Sequence, residues 1–147
     1  MLPLMTRLTL RIDFASGAAL GPGKVRLLEL IDETGSIRKA AAGMRMSYRR
    51  AWLLLQALDA MFEGPLAKTA TGGKAGGGAR LTPLGHTVVD RYRALERAAA
   101  KAGAGPLTAL DRLLAAPVGI APQRRSIRGK TAEVPIVSGK KRIRKQA

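Results

Sequence analysis

The chain contains no cysteine. It therefore has no disulfide framework, no cysteine-ligated zinc and no thiol nucleophile, and at 147 residues it must be held by an apolar core alone. Aromatics are scarce: Phe14, Tyr48, Trp52, Phe62 and Tyr92 are the whole set. Proteins that bind single-stranded nucleic acid need several aromatic platforms for base stacking, so that class is disfavoured. Acidic residues are few, 10 Asp+Glu against 26 Lys+Arg, which leaves a net charge of +16 and a pI near 11.5. Such an excess calls for a polyanionic partner, nucleic acid first and an anionic membrane surface second. No run of about 18 apolar residues is present, so no membrane span is expected. The opening MLPLM is interrupted by Arg7, Arg11 and Asp13 and makes a poor signal peptide. The expected location is the cytoplasm.

Catalytic chemistry is equally short of parts. His86 is the single histidine, without cysteine partners for a metal and without a serine or acid in a nucleophilic arrangement. A phosphate-binding loop needs Gly, four residues, then Gly-Lys-Ser/Thr. Gly23-Lys24 is followed by Val25 with Ala18 in the first-glycine position, and Gly73-Lys74 is followed by Ala75. Neither fits. No enzyme activity, metal or cofactor is expected, and Glu29, Glu33 and Glu63 read as solvated faces.

Thr6–Phe14 alternates apolar Leu8, Leu10, Ile12 and Phe14 with polar Thr9, Arg11 and Asp13, the period of a half-buried strand. Gly17, Gly21, Pro22 and Gly23 then mark a loop over 15–23. Lys24–Thr34 carries Val25, Leu28 and Ile31 at helical spacing, widened by Leu27 and Leu30, and Gly35 suits a left-handed helix stop.

The stretch Gly35–Phe62 organises the rest. Ser36 can cap a short helix Ile37–Gly43, whose Ala40, Ala41 and Ala42 permit close helix crossing. Gly43 to Met46 supplies a turn, and Ser47 caps a longer helix, Tyr48–Phe62. On that helix Ala51, Leu54, Leu55, Leu58 and Phe62 share one face, while Arg49, Leu53 and Gln56 lie roughly opposite with Arg50 beside them. One face for a core and a polar N-terminal turn for an acidic partner is the logic of helix-turn-helix DNA binding.

After Pro65–Thr69 comes TGGKAGGGA, Thr71–Ala79, then Arg80-Leu81-Thr82. This reads as a β-hairpin with a glycine-rich tip, where backbone can approach a partner closely. Lys74 at the tip and Arg80 at the base can reach phosphates. Thr82 and Pro83 open a last clear helix to Lys101, with Leu84, Val88, Tyr92 and Leu95 at helical spacing. It is expected to pair with its counterpart in a second copy. Gly103, Gly105 and Pro106 are expected to break it, with one more short helix over Leu107–Ala115. Residues 103–147 hold half of the net charge, end in GKKRIRKQA and read as a basic, largely disordered tail following a domain of residues 1–102.

These motifs resemble the N-terminal DNA-binding domain of the molybdate-responsive ModE regulators. The resemblance is carried by Gly35-Ser36-Ile37 with Ala40-Ala41, by Met46-Ser47-Tyr48-Arg49-Arg50-Ala51-Trp52, by Pro65-Leu66, by Gly72 to Ala79, and by Leu81-Thr82 and Gly85. It spans about residues 6–100, and a related form is found in LysR-type regulators. It implies a mainly α fold with a small β-hairpin: a winged helix-turn-helix with a long C-terminal dimerisation helix. Ser47, Tyr48, Arg49 and Arg50 are the implied recognition-helix contacts, and Lys74 with the glycines around it the implied wing; Ser36, Lys39, Leu53 and Arg80 complete the expected DNA-binding set. Family members also carry C-terminal molybdate-binding modules with an S-A-R-N type motif. Ser126-Ile127-Arg128-Gly129 is only a faint echo of it, so neither molybdate nor another small-molecule ligand is expected.

The function expected is sequence-specific binding of double-stranded DNA by a homodimeric transcription regulator, with no membrane partner. Two alternatives differ in kind: a nonspecific nucleic-acid-packaging or ribosome-associated protein, and a molybdate-responsive sensor.

Overall fold

In the computed structural model of the chain, residues 5–70 and 78–115 are described. The described residues up to Leu114 belong to one compact unit. The fold is mainly helical, with two small antiparallel strand pairs and a long last helix. The elements run β1 (Ile12–Asp13), β2 (Ala19–Leu20), α1 (Pro22–Thr34), α2 (Ile37–Gly43), α3 (Tyr48–Met61), β3 (Ala67–Thr69), β4 (Ala79–Leu81) and α4 (Pro83–Leu113).

The core lies where α1, α2 and α3 meet beneath the start of α4. Val25, Leu27, Leu28 and Ile31 of α1 are fully buried and meet Ala40 and Ala41 of α2, Ala51, Leu55 and Leu58 of α3, and Leu66, Val88 and Tyr92. Each fully buried leucine or isoleucine contributes about 1.5–3 kcal/mol of transfer free energy. The alanines of α2 leave room for the close crossing that their size predicts. Gly35 stops α1 at φ 66°, donating its N–H to Ile31 O at 2.9 Å. Ser36 and Ser47 cap α2 and α3, each hydroxyl oxygen accepting from the backbone three residues on, at 3.3 and 3.1 Å.

Three expectations are corrected. The strand expected over Thr6–Phe14 is reduced to Ile12–Asp13, and a second strand, Ala19–Leu20, lies inside the expected loop. Alternation marks a face but supplies no partner, and among the described residues only the tight turn at Phe14–Ala18, with Gly17 at φ 85°, brings one back. Leu8 is left exposed. The last helix is not broken at Gly103–Pro106 but runs through Pro106 to Leu113. The proline removes one helical N–H and leaves the carbonyl of Ala102 without it, and that residue is exposed so that water can take its place. Glu29 is not a solvated acid: its carboxylate grips Arg93 of α4 at 2.7 and 2.9 Å.

α4 starts from a tight joint. Thr82 is buried, accepts from Gly85 N at 3.0 Å and donates to Pro65 O at 2.7 Å. A side chain at Gly85 would collide with the Leu66 carbonyl, which explains the glycine inside a helix. Val88 and Tyr92 pack into their own domain, and the Tyr92 hydroxyl donates to Leu10 O at 2.7 Å. Leu95, expected on the same stripe, is 48% exposed.

Candidate nucleic-acid interface

The first turn of α3 is the most concentrated group of expected contacts. Tyr48, Arg49, Arg50 and Leu53 are all exposed, while Ala51, Leu55 and Leu58 of the same helix are buried. Ser47 Oγ satisfies the Arg50 N–H, and Ser47 O accepts from Ala51 N at 3.1 Å. No acceptor among the described residues takes the Tyr48 or Arg49 N–H. Orphan donors at a helix start, with the positive end of the helix dipole, suit an anion. Among the described residues, neither Arg49 nor Arg50 enters an ion pair. Their charge is available outward.

Ser36 and Lys39 are at the start of α2. Ser36 is half-buried and occupied as a cap, and Lys39 is exposed. The turn between α2 and α3 places Arg45 at φ 54°, the left-handed region that a β-carbon disfavours. Arg38 lies over the ring of Tyr48, guanidinium carbon 4.9 Å from the centroid. Sequence reading missed both arginines. A positive φ at a non-glycine has no local signature, and the Arg38–Tyr48 pairing depends on the crossing of two helices.

The β3–β4 pair is fastened to the same region. Ala79 donates to Gly35 O at 2.8 Å, at the junction of α1 and α2, and Leu81 N lies 3.4 Å from Asp32 Oδ1. Leu66 donates to Asp59 Oδ1 at 2.8 Å, which ties β3 to α3. The register sets Ala67 opposite Leu81, Lys68 opposite Arg80 and Thr69 opposite Ala79. Lys68 and Arg80 are therefore two exposed cations on one face, and like charges directly opposite repel. Arg80 was expected at this interface, and Lys68 is an addition that the cross-strand register supplies. Lys74 and the glycine-rich tip over 71–77 lie outside the described residues, as do residues 116–147 of the expected basic tail.

Several other charges are paired with one another. Hydrogen bonds from Arg93, opposed in part by burial, hold the Glu29 carboxyl below the usual glutamate range, and the same bonds raise Arg93. Arg93 also binds Glu96 at 2.8 Å, and Arg26 reaches Glu33 at 2.9 Å. His86 is exposed on α4, 3.7 Å from Asp32. Among the described residues no group of three or more His, Cys, Asp or Glu could hold a metal ion, and no helix is long and apolar enough to cross a membrane.

No family model matches the chain. Curated relatives do. The molybdenum-pterin-binding protein MopB of Rhodobacter capsulatus is 44% identical over 86 residues, 58% of this chain and 32% of that protein. The molybdenum transport protein ModE of Azotobacter vinelandii is 40% identical over 85 residues, 58% of this chain and 32% of its own. The DNA-binding transcriptional dual regulator ModE of Escherichia coli K12 is 37% identical over 81 residues, 55% and 31%. The chain spans about a third of the length of these relatives. The resemblance first carried by SYRRAW and the glycine-rich stretch is thus supported by similarity to named ModE and Mop proteins.

Proposed function

We propose that the chain is a sequence-specific, double-stranded-DNA-binding transcription regulator with a winged helix-turn-helix. α2 and α3 form the helix-turn-helix, the β3–β4 pair with residues 71–80 forms the wing, and α3 enters the major groove. The observation that carries this reading is the exposed first turn of α3, where Arg49 and Arg50 are free of ion pairs and Tyr48, beneath Arg38, stays exposed beside two unsatisfied backbone donors. Arginine pairs in bidentate fashion with guanine edges, and base contacts come mainly from the N-terminal part of a recognition helix. Lys68, Arg80 and Lys74 hold phosphates, and Ser36 and Lys39 meet the backbone from α2. The relatives named as transcriptional regulators support the assignment. Residues 1–102, with α4 continuing to Leu113, act as the DNA-binding domain, and the basic remainder of residues 103–147 as a tail that adds phosphate contacts.

Selection of duplexes from a random library is the direct test, followed by titration of Arg49→Ala. The expected loss on the selected duplex is about 1–3 kcal/mol, with a smaller loss on random DNA. An equal loss on both defeats the base-reading role. Absence of any preferred duplex at fixed salt favours nonspecific packaging, the reading that the +16 charge alone supports.

The protein acts as a homodimer through helix 82–101. Support comes from Leu95, left exposed on α4 beside an apolar groove of about 260 Å³ lined by Ile12, Phe14, Phe62 and Val88. Molybdate response, suggested by the names of the relatives, is the further alternative. The expectation here is that calorimetry with molybdate shows no heat of binding, and saturable heat would establish the sensor reading.

A further inference from the structure

We infer that Arg38 is a positioning residue: stacked on Tyr48, it holds the ring at the start of α3 while its free guanidinium edge takes a DNA phosphate. The inference rests on the DNA-binding reading above. Its observation is the Arg38 guanidinium carbon 4.9 Å from the Tyr48 ring centroid, inside the range of a cation–π contact. Arg38 is in the first turn of α2 and Tyr48 is the first residue of α3. The contact therefore bridges the two helices on their solvent side, away from the buried crossing made by Ala40, Ala41 and Ala51.

Three features make this more than surface packing. Tyr48 remains 45% exposed after the stacking, so part of the ring and its hydroxyl are still open to a partner. No hydrogen bond or ion pair among the described residues engages the Arg38 N–H groups. A guanidinium set over a ring keeps N–H donors that the ring does not take, and its fork matches the paired oxygens of a phosphate. The nearby charges do not compete: Lys39 follows on the same turn, and Arg49 and Arg50 follow Tyr48, all cationic and exposed. A phosphate bound by Arg38 thus lowers local repulsion and fixes the ring in the same event. Lysine cannot replace it, because an ammonium lacks the flat face and the forked donors.

The test uses the full chain, with Arg38→Gln, Arg38→Lys, Tyr48→Leu and the Arg38→Gln/Tyr48→Leu double variant. Each is titrated with the duplex recovered by the wild type and with a scrambled duplex, across a salt series. Arg38→Gln is expected to weaken the recovered duplex about tenfold and to reduce the salt slope by about one phosphate contact. Arg38→Lys should keep the slope but lose most of the preference between the duplexes. The double variant should lose no more than the worse single variant. Independently of DNA, ring current from Tyr48 should shift the Arg38 side-chain proton resonances upfield, and Tyr48→Leu should abolish that shift. Multiplicative losses in the double variant, a lysine variant equal to wild type, or an unshifted Arg38 each overturn the inference. Failure of the wild type to prefer any duplex would instead overturn sequence-specific reading. The scrambled-duplex cycle and the resonance shift would still decide the pair.

Discussion

Single residues in this fold carry geometric duties that side-chain chemistry alone does not suggest. Arg45 occupies the left-handed region between α2 and α3, where most non-glycine residues are strained by about 1–2 kcal/mol. Glycine would remove that strain and add backbone entropy to the unfolded chain. Arg45→Gly is therefore expected to raise stability by up to about 1 kcal/mol in urea unfolding, and a clear loss would show that the arginine side chain stabilises the turn. Gly85 is the reverse case. Its missing β-carbon is what lets α4 start against the Leu66 carbonyl. Gly85→Ala should cost about 1–3 kcal/mol or more, because the obstacle is backbone that cannot rotate aside. An unchanged Tm would contradict this packing.

Elements are joined by pairs far apart in sequence. Glu29 of α1 and Arg93 of α4 form a two-pronged ion pair, with only about a quarter of each side chain exposed. The Glu29 carboxyl is held below its ordinary range chiefly by the Arg93 hydrogen bonds. A lowered folded-state value means stability that is fully present above the ordinary glutamate range and lost as pH falls through the folded value. Thermal unfolding from neutral pH down to about pH 3 should show the loss, and Glu29→Gln should flatten that part of the curve while costing about 1–3 kcal/mol at neutral pH. A variant whose acid limb matches wild type would remove the pair from the account of acid stability.

That pair also shows what the sequence could and could not reveal. Helix boundaries were legible because Ser36, Ser47, Thr82 and Gly35 act on their own neighbours within three or four residues. The apolar face of α3 was legible for the same reason, since helical spacing is a local property. Glu29–Arg93, Arg38–Tyr48 and Asp59–Leu66 were not, because each depends on how separate segments are placed. Pro106 misled for a physical reason. A proline ends helices in most settings, yet on an exposed helix the freed carbonyl can be hydrated.

For the whole molecule, the question is what the long α4 does beyond its own domain. Val88 and Tyr92 are used internally, whereas Leu95, Leu110 and Leu113 remain exposed. Leu95→Asp should shift a dimer to monomer in light scattering at micromolar concentration with little change in helix content. A wild type that is already monomeric there would defeat the dimer proposal. If the dimer holds, each copy brings one α3, and the spacing of the two recovered half-sites follows from the dimer geometry.

The facing of Lys68 and Arg80 has a consequence for how salt acts. In the free protein, added ions screen the repulsion between these strands and should firm the pair. If the chain binds DNA as proposed, the same ions compete for the phosphates that would neutralise it. One variable then pushes folding and binding in opposite directions, and hydrogen exchange at Lys68 and Arg80 would register the first effect while affinity registers the second. A polyanion does for this hairpin what salt does, but only where it is bound.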